Sequence, residues 1–302
     1  MKLVIAGGTG LIGSALSLQL LEKGHSLTIL TRFFGSRLPT NSKKYQLWSP
    51  PAPGAWEETI DGADAVVNLA GEPIAAKRWS EKQKEKIRSS RVDTTRALVA
   101  AIAKARTKPQ LLLNASAVGY YGPRGDKSLT EETGPGNDFL SRVCIAWEEE
   151  AKKAQDYGLR VIRLRTGIVL AREGGALAKM APPFKFFVGG PLGSGKQWLS
   201  WIHIEDEVGL ILFLLEHPHA HGAVNATAPN PVTMTEFCKT LGRVLHRPSW
   251  APVPAFVLRP MLGEMADMLL TGQRVFPDTA QKLGYSFRYP TLYEALQTCM
   301  PL

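Results

Sequence analysis

The chain has 302 residues, of which 44% are hydrophobic and 21% charged, and a formal net charge of +9. That length allows one large domain or a domain with an appended lobe, and the composition excludes a disordered chain. No apolar run reaches the ~18 residues that a membrane span requires, and three widely spaced cysteines (Cys144, Cys238, Cys299) form neither a disulfide framework nor a zinc motif.

The opening MKLVIA reads as a strand over Lys2–Ala6. The glycine cluster from Gly7 cuts the apolar run short of a signal-peptide core, so a cytoplasmic location is the expectation. A helix is predicted over Leu11–Lys23 and a strand over Ser26–Thr31. Residues 33–63 carry Pro39, Pro50, Pro51 and Pro53 and read as a loop region with one weak strand near Tyr45–Trp48. Strands at Ala65–Leu69, Gln110–Ala115 and Arg160–Leu164 alternate with helices at Ser80–Ala105 and Asp138–Asp156. Short apolar strands alternating with longer amphipathic helices are the pattern of βαβ units around a parallel sheet.

Residues 171–201 are rich in glycine and proline and form a long connection. A helix over Glu205–Glu216, a strand over Ala223–Thr227 and a helix opened by Thr233 or Thr235 follow. The last ~50 residues are read as a small lobe. The expected fold is therefore α/β. A doubly wound Rossmann sheet occupies residues 1–170, and residues 171–302 supply a lid, the remaining sheet elements and a smaller C-terminal substrate lobe.

The segment GGTGLIG sets Gly7, Gly10 and Gly13 directly between the first strand and the first helix. The first glycine allows a tight turn and the second lets backbone approach a pyrophosphate. The third lets the helix pack on the strand, and the pyrophosphate then meets the positive helix end. Here the motif has the strand–turn–helix context it requires. The second strand ends in Thr31–Arg32 with no acid before Glu57. An acid there would bind the ribose hydroxyls of NAD, whereas Arg32 suits the 2′-phosphate of NADP(H).

GGTGLIG, NLAGEPI, NASAVGYYG, RTGIVLAREGG and GGPLGSGKQWLSWIHIEDE occur in that order. Together they resemble the YfcH-like epimerase family among the atypical, extended short-chain dehydrogenase/reductases of the NAD-dependent epimerase/dehydratase superfamily. The likeness covers essentially the whole chain, including the lobe around MLLTGQRVFP. It implies that Gly7, Thr9, Gly10, Leu11, Ile12 and Gly13 hold the pyrophosphate and that Thr31 and Arg32 meet the adenosine phosphate. It further implies that Leu69, Ala70 and Gly71 line the cofactor, that Arg91 adds a positive contact, and that Val169 sits near the nicotinamide. The activity it implies is that of an NADP(H)-binding epimerase or reductase acting on a nucleotide sugar or another small carbonyl or hydroxyl compound.

Such proteins polarise the substrate with a Ser or Thr and move its proton with a YxxxK pair, whose Lys lowers the Tyr pKa. Ser116, at the end of its strand, stands where the Ser belongs. The YxxxK pair is absent: none of the seven tyrosines is followed by Lys four residues later, and Leu140 and Cys144 fall at the corresponding helix positions. Tyr121, or Tyr120 beside it, is the substitute proton carrier that the loop offers. The missing pair sustains a second reading, a non-catalytic NADP(H)-binding sensor or assembly factor.

GxxxxGK at Gly190–Lys196 is followed by Gln197 rather than Ser or Thr, which excludes a P-loop. HxHxH at His217–His221 is broken by Pro218, so no metal site is expected. The spread of basic residues fits a surface for phosphorylated small molecules, with no nucleic-acid or membrane partner expected and the oligomeric state left open.

Overall fold

The computed structural model describes residues 1–33 and 42–300. In chain order, β1 (Lys2–Ala6), α1 (Leu11–Glu22), β2 (Ser26–Thr31), β3 (Lys43–Leu47), β4 (Ala65–Asn68), α2 (Glu81–Lys104) and β5 (Leu111–Ala117) build the first half. A two-residue strand β6 (Ser128–Leu129), α3 (Phe139–Lys152), β7 (Arg160–Thr166) and β8 (Ile168–Leu170) follow. Then come α4 (Leu177–Lys185), β9 (Trp198–Leu199), β10 (Trp201–His203), α5 (Ile204–Glu216), β11 (Gly222–Ala226), β12 (Val232–Thr233) and α6 (Met234–Leu245). The chain ends in α7 (Ala255–Leu262), α8 (Met265–Leu270), β13 (Arg274–Val275), α9 (Asp278–Lys282) and α10 (Leu292–Cys299).

Seven strands form one sheet in the order β11-β7-β5-β4-β1-β2-β3, every neighbouring pair parallel. This is the Rossmann-like α/β architecture, and its direction reverses between β1 and β4, where ligands of such sheets bind. The central strands are apolar on both faces because helices cover both. Leu3, Ile5, Ile29 and Val67 pack with α1 and α5 on one side, while Val4, Val66, Leu98 and Ile102 pack with α2 on the other. A third apolar cluster, centred on Trp201, Phe237, Leu241 and Leu296, is the core of the C-terminal lobe.

Local chemistry sets the helix starts. Ser80 caps α2 by accepting from the Gln83 amide, Asp138 caps α3 through Ser141, and Thr233 rather than Thr235 caps α6 through Glu236. The weak strand expected near Tyr45–Trp48 is β3, two residues earlier at its start, pairing with β2. In α5 the capping side chain is His203, whose Nδ1 accepts from the Glu205 amide at 3.2 Å. Asp206, in the first turn of α5, holds the segment after α9. Its carboxylate accepts from the Arg288 and Tyr289 amides at 2.7 and 2.9 Å.

Candidate functional site

The glycine loop is shaped by close approach. Gly7 has φ +78°, and a Cβ there would lie 2.6 Å from the carbonyl carbon and oxygen of Leu69. A Cβ on Gly13 would lie 2.3 Å from the Gly7 oxygen, so any larger residue would push α1 off the loop. The Gly10 amide donates to that same oxygen at 3.0 Å and closes the turn. Gly10 itself is different: a Cβ there would meet only the Gly7 oxygen, at 3.4 Å. Its open side faces outward, beside exposed Thr9 and Leu11 and half-buried Ile12. No side chain caps α1 and its first turn holds no acid. The first-turn amides and the helix dipole thus form a cradle for an anion.

At the end of β2, Thr31 is buried and its Oγ1 donates to the Phe33 carbonyl at 2.8 Å, turning the chain and leaving Arg32 exposed. The end of β4 is pinned by a polar clasp that sequence reasoning missed. Asn68 Nδ2 donates to Asn114 Oδ1 at 2.7 Å and to Thr95 Oγ1 at 2.9 Å, and Asn68 Oδ1 accepts from the Ala70 amide at 3.2 Å. Leu69 and Ala70 are half-buried beside Gly7, and Gly71 is exposed.

Arg91 is tied to the chain's own backbone. Its Nη1 donates to the carbonyls of Glu72 and Ile87 at 3.1 and 3.0 Å, and its guanidinium lies 5.2 Å from the Trp147 ring centre. The guanidinium packs under Gly71, where a Cβ would lie 3.1 Å from Cζ. Burial lowers its pKa from the usual arginine value. Val169 on β8 is half-buried; its carbonyl and Leu11 both border Gly175, so the two residues share one wall.

Beyond the sheet's carboxyl end, Ser116 does not stand alone. Its Oγ donates to Glu148 Oε1 at 2.8 Å. Glu148, 1% exposed, is gripped by Arg165 through Nε and Nη2 at 2.8 and 2.9 Å and by Arg163 Nη1 at 3.0 Å. Such a two-point grip suits the planar guanidinium. Arg165 Nη1 in turn donates to the Tyr121 hydroxyl at 3.0 Å, and that hydroxyl donates to Asn225 Oδ1 at 2.6 Å. The Tyr120 ring stacks on the same guanidinium, 3.4 Å from Cζ to its centre.

Tyr121 is fully buried, and burial pushes its phenol up to about 12. The structure therefore places this tyrosine, expected from sequence to carry a proton, inside a closed hydrogen-bond chain. Gly119 faces Leu140 and Cys144 across the turn. Burial pushes the Cys144 thiol up to about 12, which keeps it neutral near pH 7.

A second buried carboxyl was invisible in the sequence. Glu207 on α5 accepts from Thr166 Oγ1 at 2.8 Å through Oε1, while its buried Oε2 has no hydrogen-bond partner. Desolvation pushes it up to about 8, so it is mostly protonated at pH 7.

The connection over 190–198 lines a cavity of about 310 Å³ with Asp126, Lys196, Trp198 and Thr271 among its walls. The strand β9 follows Lys196, not the helix that a P-loop opens. Trp198 Nε1 donates to Asp126 Oδ1 at 2.7 Å, tying this connection to the loop after Tyr121. Among the described residues, no three His, Cys, Asp or Glu side chains are grouped as metal ligands.

Comparison with known proteins agrees with this geometry. Residues 3–226 match the NAD dependent epimerase/dehydratase family, and residues 253–299 match a domain of unknown function. An epimerase family protein SDR39U1 homolog, chloroplastic, of Arabidopsis thaliana is 43% identical, over 99% of this chain and 87% of the relative. The epimerase family protein YfhF of Bacillus subtilis is 42% identical, over 98% and 97%. The crystal structure of human epimerase family protein SDR39U1 with NADPH superposes with a TM-score of 0.86 at 35% identity, covering 98% of each chain. From its sheet order, its glycine cradle and these matches, the chain belongs to the NAD dependent epimerase/dehydratase family.

Proposed function

We propose that this protein binds NADP(H) in the cleft above the switch point of its sheet and acts as an epimerase- or reductase-like protein on a small carbonyl or hydroxyl compound. A nucleotide sugar is the candidate that the fold suggests by analogy. One observation carries the cofactor half of this reading: an uncapped helix start, behind a glycine loop that tolerates no side chain at Gly7 or Gly13, follows β1, whose end pairs with the end of β2 just before exposed Arg32. NADPH in the human relative supports it.

In this proposal Gly10 and the amides of Leu11 and Ile12 hold the pyrophosphate, with Thr9 at the rim. Arg32, set by Thr31, meets the 2′-phosphate. Leu69, Ala70 and Gly71 line one wall, held by Asn68 and Arg91, and Val169 borders the nicotinamide end. Arg91 acts here by shaping the wall.

Bound nicotinamide supplies or takes up a hydride. The proton must travel through this chain's own groups. The route available runs from a substrate hydroxyl to Ser116 Oγ and on to Glu148 Oε1, 2.8 Å away. Tyr121 supports that route from behind, through Arg165.

A second reading has a specific observation in its favour. Ser116 already donates its hydrogen to Glu148, and Leu140 and Cys144 face the turn where a proton relay would stand. A protein with a complete cofactor cradle and no Tyr–Lys pair at that corner is suited to sensing NADP(H) or assisting assembly.

Calorimetric titration with NADPH and NADH, followed by a substrate screen on the NADPH complex, separates the two. Tight NADPH binding with turnover that falls at least 100-fold in Ser116→Ala supports the enzyme. Tight binding without turnover across carbonyl compounds and nucleotide sugars supports the sensor. Binding of neither cofactor overturns both.

A further inference from the structure

The end of α4, Trp250 and α7 expose large apolar side chains that the proposed cofactor site does not use. Phe186, Phe187 and Val188 leave the end of α4 exposed, Phe186 by 77%. Trp250, 67% exposed, is brought beside them: its amide donates to the Gly189 carbonyl at 3.0 Å and its indole N–H to the Phe187 carbonyl at 2.9 Å. Helix α7 follows directly and presents Phe256, 76% exposed, and Met261. Monomeric proteins rarely gather this much aromatic surface in one lobe without a partner for it.

The backbone keeps it so. Phe187 has φ +65°, a left-handed conformation that an aromatic residue rarely adopts. Its amide donates to the Phe184 carbonyl at 2.9 Å, and the Trp250 indole holds its own carbonyl. The strain is thus held at the point where the aromatic rings leave the surface.

Charge names the partner. Residues 174–204 contain Lys179, Lys185 and Lys196 and no Asp or Glu; residues 237–263 contain Lys239, Arg243, Arg247 and Arg259 and none either. The nearest acids in sequence beyond α7 are engaged, Asp267 with Arg259 at 3.1 Å and Glu264 with Lys84 at 3.0 Å. The Arg247 guanidinium lies 4.6 Å from the Phe187 ring centre, so cation and aromatic stand side by side. A second copy of the chain is disfavoured, because a two-fold contact would set this basic rim against itself.

We propose that this face docks on the surface of an anionic phospholipid bilayer. The rings of Phe186, Trp250 and Phe256 enter the headgroup boundary while Lys185 and Arg247 meet lipid phosphates, the mode of interfacial elements that combine aromatics with cations. No spanning segment is involved: among the described residues no helix is long and apolar enough to cross a membrane. The proposal stands apart from the reading of the cofactor cleft.

The test is co-sedimentation of the full chain with vesicles of phosphatidylcholine alone and of phosphatidylcholine with an equal share of phosphatidylglycerol, at low and high salt. The expected result is at least tenfold more binding to the anionic vesicles, weakened by salt. The double variant Phe186→Ser/Phe256→Ser and the double variant Lys185→Glu/Arg247→Glu should each lower that binding at least tenfold, with far-UV circular dichroism and melting temperature retained. Binding to neither vesicle, equal binding to both, or binding indifferent to both variants would overturn the proposal. So would a dimer in light scattering that Phe256→Ser dissolves, which would assign the face to self-association.

Discussion

The two ends of the cleft are built on opposite principles. At the glycine-loop end, backbone shapes the surface: Gly7 and Gly13 leave no room for side chains. At the Ser116 end, side chains do everything, and they face one another. Ser116, Glu148, Arg165, Tyr121 and Asn225 form one buried chain of hydrogen bonds that draws on β5, α3, β7 and β11 and on the turn after β5. The first end is prepared for a ligand whatever the chemistry. The second has its polar groups hydrogen-bonded to one another.

Substitutions at each end should separate them. The largest effect is expected at the buried ion pair. Glu148→Ala leaves two guanidinium groups without their carboxylate and should lower stability by roughly 3–5 kcal/mol in chemical denaturation. A loss below about 1 kcal/mol would mean that the network is dispensable.

Next in size, Gly13→Val should push α1 from the loop, weaken NADPH binding at least 100-fold by calorimetry and lower stability by about 1–3 kcal/mol. Unchanged affinity would place the cofactor elsewhere. Arg32→Asp should weaken NADPH binding by roughly 10- to 100-fold and NADH binding far less, because only the former carries the 2′-phosphate. Equal losses would remove that role.

Glu207 gives a pH signature at neither end. Its folded-state pKa is raised to about 8, so the native state holds a proton that the unfolded chain releases above about 4.5. Stability from this group is present at low pH and falls as pH rises through that window. Glu207→Gln should therefore melt several degrees above the parent at pH 8.5, on the order of the ~4 kcal/mol that such a rise implies, and close to it at pH 5. Equal differences at both pH values would show that desolvation is not the cause. The last substitution is Tyr121→Phe. It removes a hydroxyl between Arg165 and Asn225 and should cost about 1–3 kcal/mol, with NADPH affinity unchanged.

The same contrast explains what could be read from the sequence. The glycine cradle is contiguous, and its geometry follows from residue type and spacing, so Gly7, Gly10, Gly13 and the Arg32 position were legible. The central strands β1 and β4 were legible too, since burial on both faces leaves a mostly apolar run in each. The Ser116 network was not. Its members span residues 116 to 225, and Glu148, Arg163 and Arg165 look like ordinary surface charges on a helix and a strand. Only the pairing of β5 with β7, which sets Ser116 opposite Arg165, brings them together. The role of Asp206 was hidden for a related reason: its partners lie 82 and 83 residues later.

The placement of β11 has a consequence for how the molecule is made. It is the last strand to join the sheet, it pairs with β7, and it delivers Asn225 to the Tyr121 hydroxyl. A nascent chain that has just completed β7 exposes an unpaired strand edge and holds Arg165 and Tyr121 without their closing acceptor. Some sixty further residues must leave the ribosome before that edge is covered. Parallel pairings that wait on such distant sequence are slow to form and expose the intermediate to aggregation. The vulnerable moment in this protein's life is therefore set by its topology, in the interval between synthesis of Thr166 and of Ala226.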